Sequence, residues 1–210
     1  MPNWCNNVLT ITGEEVKLNK IKFLLESSKK NNHGMFITLV GLPEGITPEQ
    51  HEKDWWDIHI SHWGCKWDVD YEEHSTSYYD DHIEMSFETA WSPPIEFCGK
   101  LAQYFDVEVK VFYSEPGVGF SGECICTPDG MMDDNEFPYM EGMYIYDNFG
   151  FWDEVESNIE SEIEDIDWDD NPNTDEIIEK ILSEFNYIND EDKQKIKDLI
   201  TQTIQDYGEA

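Results

Sequence analysis

Residues 3–12 read NWCNNVLTIT, and this segment gives the clearest indication of how the chain begins to fold. Apolar and polar residues alternate along it, as in a β-strand that has one face buried. Gly13 and Glu14 end the segment. Residues 15–30 then place apolar side chains at helical spacing, and His33-Gly34 breaks that pattern. The chain is therefore predicted to open with a strand followed by a helix.

Outward from this unit, the same reasoning predicts four more strands and a second helix. The predicted strands are residues 55–63 (WWDIHISHW), 82–88 (HIEMSFE), 106–113 (DVEVKVFY) and 120–127 (FSGECICT). Pro93 and Pro94 open a helix that runs to about Phe105, because proline suits the first turn of a helix. Residues 70–81 are polar and are predicted to form a loop. The order β-α-β-β-α-β plus one strand predicts an α+β fold of the ferredoxin-like type, an antiparallel sheet with two helices on one face.

The composition changes after residue 128. Residues 1–128 are predicted to form the ferredoxin-like domain, and residues 129–150 a loop-like connecting segment with room for one short strand. Residues 151–210 are predicted to form an acidic region of three helices, at about 151–165, 175–186 and 190–207. Asn173 or Thr174 is expected to cap the second of these helices. Asn189, followed three residues later by Asp192, is expected to cap the third.

Charge is the strongest feature of the composition. The chain has 47 Asp and Glu against 13 Lys and Arg, so its formal net charge is −34, and every basic residue is Lys. A nucleic-acid-binding protein usually carries a basic patch, often with arginines that form bidentate hydrogen bonds to phosphates. The field of this chain would repel a phosphate backbone. We therefore expect no direct binding to nucleic acid, and a positively charged partner instead.

The sequence also bears on the compartment. No apolar run reaches the 18 residues of a candidate membrane span, and the N-terminus lacks the pattern of a signal peptide. The five cysteines are an odd number, which favours reduced thiols in a cytosol. Cys124 and Cys126 would share one face of a strand, and their spacing is not that of a zinc site. We expect a cytoplasmic protein with no membrane contact and no cofactor.

An acidic helix is the first candidate for a binding site. Residues 153–170 contain ten carboxylates: Asp153, Glu154, Glu156, Glu160, Glu162, Glu164, Asp165, Asp167, Asp169 and Asp170. Val155, Ile159, Ile163 and Ile166 form an apolar stripe that can dock on a core. At about 1.5 Å per residue the segment spans roughly 27 Å, or about one charge per 2.7 Å, against about 1.7 Å in duplex DNA. The helix could imitate a phosphate backbone. The alternative is a solvated face that serves solubility.

A second pattern overlaps the end of this helix. Asp165, Asp167, Asp169, Asn171, Asn173 and Glu176 occupy positions 1, 3, 5, 7, 9 and 12 of a calcium-loop pattern. Two residues depart from it, since Asp170 stands where the turn needs Gly and Pro172 stands at an apolar, extended position. The competing interpretation is an acidic loop between capped helices, and we expect no metal site.

Two further clusters invite a chemical interpretation. His59, His62, Cys65, Lys66 and Asp68 lie around WGCKWD, and a Cys near a His can form a nucleophile or a metal site. On a strand, however, His59 and His62 would point to opposite faces, and no third group is placed by spacing. The run EPGVGFSG lacks the Lys of a phosphate-binding loop and is expected to be a turn. We expect no enzymatic activity.

The aromatic content supports a different kind of surface. Aromatic residues make up 14% of the chain, and several lie beside acidic residues. If exposed they would be good interface anchors, and if not they would form core. The residues concerned are Trp55, Trp56, Tyr78, Tyr79, Phe149, Phe151 and Trp152.

Four motifs point to a family. MPNWCNN at the N-terminus, WGCKWD at 63–68, FETAWSPP at 87–94 and EPGVGFSGE at 115–123 occur in this order. Over about residues 1–126 the chain resembles the YubB ferredoxin-like domain family of phage and plasmid proteins. The resemblance implies a ferredoxin-like fold and a mobile-element origin in a bacterial cytoplasm, and it supplies no catalytic residues. The acidic helical region lies outside it.

Together these observations lead to one functional hypothesis and two alternatives. The hypothesis is a phage or plasmid inhibitor of a host defence protein, of the restriction-enzyme or CRISPR-effector class, that occupies a basic groove as an acidic nucleic-acid mimic. The first alternative is an interaction module that binds a host protein through an aromatic surface or the free sheet face. The second is an enzyme built around His62 and Cys65.

Overall fold

The structure, a computed structural model, describes residues 2–31, 33–146, 150–168 and 172–208. It divides into two compact units, Met1–Gly142 and Met143–Ala210. The domain limits expected from composition, at residues 128 and 150, stay a prediction. Among the residues described, no helix combines the length and the apolar character needed to cross a bilayer.

The first unit is built on a six-stranded sheet. Its strands are β1 (Trp4–Thr12), β2 (His74–Tyr78), β3 (His82–Ala90), β4 (Glu108–Glu115), β5 (Phe120–Cys126) and β6 (Met132–Pro138). They lie in the order β2-β3-β1-β4-β5-β6, and every neighbouring pair is antiparallel. Helices α1 (Glu15–Asn31) and α4 (Ile95–Phe105) follow β1 and β3. The first four strands and these two helices form the predicted ferredoxin-like fold, which is confirmed, and β5 and β6 extend the sheet beyond β4.

The core of this unit lies between the sheet and its helices. Alternate residues of the strands point toward it, as the two-residue period of a strand requires. In β1 these are Cys5, Asn7, Leu9 and Ile11, all of them buried. The helices contribute Leu18, Ile21 and Leu25 from α1, and Phe97, Leu101 and Phe105 from α4. The apolar residues that recur every second position in the strands and every three or four positions in the helices therefore pack into one cluster.

The predicted strand at residues 55–63 is wrong, because these residues belong to a helix. Helix α3 runs over Pro48–Trp63 and follows the short helix α2 (Met35–Leu39). Thr47 and Gln50 form a capping box at its start, Pro48 occupies its first turn, and Gly64 ends it in a left-handed conformation. Ile58, His62 and Trp63 are its buried residues. Their spacing of four and one is helical, and the alternation of Trp56, Ile58 and Ile60 concealed it.

β2 replaces a segment that the sequence indicates as loop, whereas β6 is the one short strand for which the connecting segment has room. β2 lies within the polar segment 70–81, and β6 lies within residues 129–150, followed by helix α5 (Tyr139–Tyr146). Both strands lie at the edges of the sheet and are made mostly of polar or acidic residues. β6 carries three carboxylates, and charged edge strands resist pairing with other chains. Each strand pairs with its neighbour through the backbone ladder, which does not require an apolar pattern in the side chains.

The second unit contains the three predicted helices. They are α6 (Phe151–Glu164), α7 (Thr174–Ser183) and α8 (Asp190–Gly208). Asn173 accepts a hydrogen bond from the backbone N–H of Asp175 at 3.1 Å, and Asn189 accepts one from Asp192 at 2.9 Å. Both predicted caps are therefore present. The core of this unit is formed mainly by isoleucines, with a few other apolar side chains: Met143, Phe151, Val155, Ile159, Ile163, Ile178, Ile181, Phe185, Ile188, Ile196, Ile200 and Ile204.

Candidate functional site: a row of carboxylates and a tryptophan pocket

The predicted acidic helix places four carboxylates in a row. Asp153, Glu156, Glu160 and Glu164 are all exposed and follow one another at spacings of three, four and four residues. Residues at this spacing lie on one side of a helix, about 4.5 to 6 Å apart along its axis. The stripe Val155, Ile159 and Ile163 is fully buried and fixes the helix to its unit, while Ile166 is half-buried. The row is therefore held on a rigid element.

The remaining predicted carboxylates differ in their surroundings. Glu162 is half-buried and pairs with Lys180 at 2.9 Å, which raises the pKa of that lysine. Glu154 is half-buried, whereas Asp165 and Asp167 are exposed beyond the end of α6. Glu164 accepts a hydrogen bond from the hydroxyl of Tyr207 at 2.6 Å. Asp169 and Asp170 lie outside the described residues.

Asp153, Glu156 and Glu160 have no lysine within ion-pair distance among the residues that the structure describes. The second unit as a whole has 21 Asp and Glu against 4 Lys in its 68 residues. The row therefore presents unneutralised negative charge to the solvent, on a surface whose wider field has the same sign.

The calcium pattern is only partly described. Asp169 and Asn171 lie outside the described residues, so this pattern stays a prediction. Of the others, Asn173 caps α7 and donates from its side-chain amide to Glu176 at 3.0 Å. No group of three or more candidate metal ligands is present within the described ranges.

The Cys and His residues around WGCKWD are buried or hydrogen-bonded within the fold. Cys65 is fully buried, and burial raises the pKa of its thiol well above the usual range, which disfavours a thiolate nucleophile. His59 and His62 lie three residues apart on α3, so they do not point to opposite faces as a strand would require. Burial lowers the pKa of both rings. His59 bonds through Nδ1 to the carbonyl of Lys66 at 2.9 Å and stacks on Trp63 at 4.2 Å.

The other thiols and the glycine-rich run also take the expected places. Cys124 and Cys126 are buried on one face of β5, with their sulfurs 3.7 Å apart. The EPGVG segment is the turn between β4 and β5. Glu115 is buried there, and its carboxylate accepts from the backbone N–H groups of Gly117 and Val118 at 2.8 and 2.6 Å. This carboxylate has a structural role in the turn.

An apolar pocket in the first unit is the second candidate site. It has a volume of about 430 Å³ and is lined by Trp55, Trp56, Ile60, Lys66, Ala90 and Trp91. Trp56 is 52% exposed and Trp91 48% exposed, so large apolar surfaces are presented to solvent. Exposed clusters of this kind mark interaction sites more often than scattered single side chains do. The pocket is therefore a candidate binding site.

A partly buried network of hydrogen bonds connects three segments next to this tryptophan pocket. Asn7 donates to the hydroxyl of Thr89 at 2.9 Å, and that hydroxyl donates to the carbonyl of Ser92 at 2.8 Å. The Ser92 hydroxyl in turn donates to the carbonyl of Gly64 at 2.8 Å. These residues belong to the motifs MPNWCNN and FETAWSPP and to the turn that begins WGCKWD. Three motifs that are distant in the sequence therefore build one supporting structure.

Trp91 has an unusual backbone conformation. Its φ angle is +76°, in the left-handed region that a bulky residue rarely occupies. Its backbone N–H donates to the carbonyl of Asn3 at 3.0 Å. A strained residue of this type persists only when its surroundings fix it, and such residues concentrate at functional sites. The conformation places the indole of Trp91 at the pocket.

A second pocket, called the acidic pocket because carboxylates line it, lies beside the first. It is lined by Trp4, Trp67, Asp68, Asp70, Glu73, Glu88 and Thr89. Lys66 lines the first pocket and its neighbour Trp67 lines the second, with the Lys66 ammonium 4.2 Å from the centre of the Trp67 ring. Trp67 also lies 6.3 Å from Trp4. The combined surface therefore has an apolar part and an acidic part that share one cation–π pair.

Sequence reasoning found only part of this surface. The sequence indicates Trp55 and Trp56 as candidate anchors, but it does not place Trp4, Ile60, Lys66 and Trp91 beside them. Of the other aromatic candidates, Tyr78 and Tyr79 are exposed, Phe151 is buried, Trp152 is half-buried and Phe149 lies outside the described residues. The density of tryptophan in the motifs was the signal that could have indicated the pocket.

Comparison with known proteins supports the domain type. Residues 62–150 match the family model for a ferredoxin-like domain in Api92-like protein, which is less than half of the chain. The crystal structure of the protein Api92 from Yersinia pseudotuberculosis aligns with a TM-score of 0.45 and 12% identity, covering 65% of this chain and 98% of that one. No curated protein matches. The YubB resemblance and the phage or plasmid origin stay predictions.

Proposed function

We propose that this protein is a mobile-element inhibitor of a host defence protein and acts as an acidic mimic of nucleic acid. Its target would be a basic nucleic-acid-binding protein of the restriction-enzyme or CRISPR-effector class. The protein itself would bind neither nucleic acid nor membrane. It would act in the cytoplasm of a bacterial host that carries the phage or plasmid.

The row Asp153, Glu156, Glu160 and Glu164 is the observation that carries this proposal. A mimic needs negative charges at fixed, regular positions, and these four are exposed on one side of a helix whose apolar stripe is fully buried. The spacing of about 4.5 to 6 Å between successive members is set by the rise of the helix. A flexible acidic tail would lose conformational entropy on binding, whereas a packed helix has already lost it.

Whole-molecule charge supports the same proposal. A protein of net charge −34 attracts a basic groove over distances longer than any single contact. Such steering accelerates association and weakens as salt screens the field. Binding through the row should therefore be fast at low ionic strength and should fall steeply as salt is added.

The test is a capture experiment with the tagged full chain and a bacterial lysate that contains restriction and CRISPR systems. The expected result is that the retained proteins are nucleic-acid binders, and that both added duplex DNA and 0.5 M salt release them. DNA competes because it would occupy the same groove. Retention of a protein that neither DNA nor salt releases would contradict mimicry.

The tryptophan pocket favours a second candidate function, an interaction module that binds a host protein without imitating nucleic acid. Trp56 and Trp91 are about half exposed and are of the residue type that most often dominates binding energy. An interface led by aromatic side chains tolerates salt better than one led by charge. A partner that stays bound in 0.5 M salt and is lost on Trp56→Ser would support this function over mimicry.

A further inference from the structure

The tryptophan pocket has features that indicate the kind of ligand it takes. It offers almost no polar group, because the ammonium of its single charged residue, Lys66, lies over the ring of Trp67. Sites for small metabolites usually combine an apolar wall with several converging polar groups that fix orientation. A pocket without them suits an apolar anchor that is oriented by contacts elsewhere, as a side chain of a larger partner is.

The acidic pocket alongside indicates what accompanies this anchor. Asp70, Glu73 and Glu88 are exposed carboxylates on its wall. Asp70 and Glu73 belong to one turn just before β2, whereas Glu88 belongs to β3. Asp68 differs from them, since its carboxylate is already bound to three backbone N–H groups. The rim beside Trp67 therefore has three exposed carboxylates against one lysine, and the first unit as a whole has 26 Asp and Glu against 9 Lys.

We propose that the tryptophan pocket binds one large apolar side chain of a partner protein, and that the adjacent acidic pocket binds a Lys or Arg of the same segment. This inference rests on the second candidate function and names the chemistry of its partner. Charge complementarity selects a basic neighbour, and the adjacent residues Lys66 and Trp67, which line one pocket each, place the two contacts side by side. The aliphatic part of a Lys or Arg can lie along Trp4 or Trp67 while its charge reaches the carboxylates.

A selection experiment tests this directly. A phage-displayed library of random twelve-residue peptides is selected on the immobilised full chain, and bound peptides are sequenced. The expected consensus is one Trp, Phe, Leu or Met with Lys or Arg within three positions. Synthetic peptides of that consensus should bind Trp56→Ser and Ile60→Ser at least tenfold more weakly than wild type, because each removes apolar surface from the pocket. Glu73→Gln combined with Glu88→Gln should weaken binding about threefold or more and reduce its salt dependence.

Phe23→Ser is the matched control, since Phe23 is 68% exposed on α1 and does not line the pocket. It should bind the peptides as wild type does, and circular dichroism should show that all variants are folded. A consensus with Asp or Glu beside the anchor would overturn the basic neighbour while leaving the pocket as a protein-binding site. Failure to enrich any peptide would overturn both this inference and the second candidate function. A dimer in sedimentation that Trp56→Ser dissociates would assign the pocket to a second copy and would also overturn the inference.

Discussion

Asp68 shows how one residue of a motif can hold several segments together. Its carboxylate accepts from the backbone N–H groups of Phe36, Ile37 and Val69 at 2.6, 3.0 and 2.8 Å. The first two of these lie in the first turn of α2. Burial raises the pKa of Asp68, while the three amide groups act in the opposite direction. The residue fixes the backbone next to Trp67, and both residues line the acidic pocket.

Asp68→Asn should therefore destabilise the protein. Asn keeps one oxygen for Phe36 and Val69, but its amide would face the N–H of Ile37, leaving two donors opposed. The expected loss is about 1–3 kcal/mol in the free energy of unfolding, the usual cost of an unsatisfied buried group. Denaturant unfolding measures it, and Asp68→Ala, which loses all three bonds, should lose more. Equal stability of Asp68→Asn and wild type would show that these bonds contribute nothing.

His59 should make stability depend on pH. Burial lowers the pKa of its ring, with the neighbouring His51 acting in the same direction. The unfolded chain therefore takes up a proton near the ordinary value of about 6.5, while the folded protein resists it, so stability falls as pH drops below about 6.5. Between pH 7.5 and 5.5 the stability difference between wild type and His59→Asn should shift against wild type, with a slope below the single-proton limit of about 1.4 kcal/mol per pH unit. A difference that does not change with pH would contradict the argument.

Single residues at helix ends were the easiest to predict from sequence. Asn173 and Asn189 cap their helices as predicted. A side-chain oxygen at the position before a helix readily accepts a hydrogen bond from a backbone N–H of the first turn. Trp91 could not be predicted in the same way. Its left-handed backbone results from contacts with a distant segment, including the bond to Asn3, and nothing in the local pattern encodes it.

At the scale of elements, α3 shows where pattern reasoning fails. The segment WWDIHISHW alternates well enough to indicate a strand, yet the capping box of Thr47 and Gln50 starts a helix before it and Gly64 ends one after it. Those terminal signals outweigh the alternation, which includes the exposed residues Trp56 and Ile60. Both exposed residues line the tryptophan pocket. The conflict between pattern and structure therefore falls at a candidate site, as is often the case.

Gly64 should be essential to the way α3 ends. Its φ angle is +87°, and a Cβ there would lie 3.1–3.2 Å from backbone atoms of Pro93, Ile95 and Glu96. Gly64→Ala should cost about 1–2 kcal/mol for the left-handed conformation alone, and more for the close approach. Gly45→Ala is the matched control, since Gly45 has φ +83° and open space around it. Thermal unfolding should rank Gly64→Ala clearly below Gly45→Ala, and equal losses would remove the close approach from the explanation.

At the scale of the whole molecule, the fold and the charge are predicted from different features of the sequence. The ferredoxin-like sheet could be predicted because its central strands alternate and its two helices have clear periods. The edge strand β2 could not, since its polar residues give no pattern, and β6 could be expected only as one short strand without bounds. The charge of −34 could be read directly from composition, but composition does not reveal that four carboxylates of α6 form a row. That arrangement becomes visible only when the buried stripe fixes which side of the helix faces solvent.

The central claim is that the row on α6, rather than net charge, makes the protein a nucleic-acid mimic. The test compares two quadruple variants that each change the net charge from −34 to −30. One carries Asp153→Asn, Glu156→Gln, Glu160→Gln and Glu164→Gln. The other carries four exposed, scattered changes in the first unit, Glu26→Gln, Glu44→Gln, Glu72→Gln and Glu108→Gln.

Both variants should fold, because every changed side chain is exposed and amides are close in shape to carboxylates. The measurement is the affinity of each for the DNA-displaceable partner captured from lysate, at 50 and 200 mM salt. The account predicts that the α6 variant binds at least tenfold more weakly, about 1.4 kcal/mol or more, while the scattered variant stays within about twofold of wild type. Equal weakening of both variants, or full binding by the α6 variant, would contradict it.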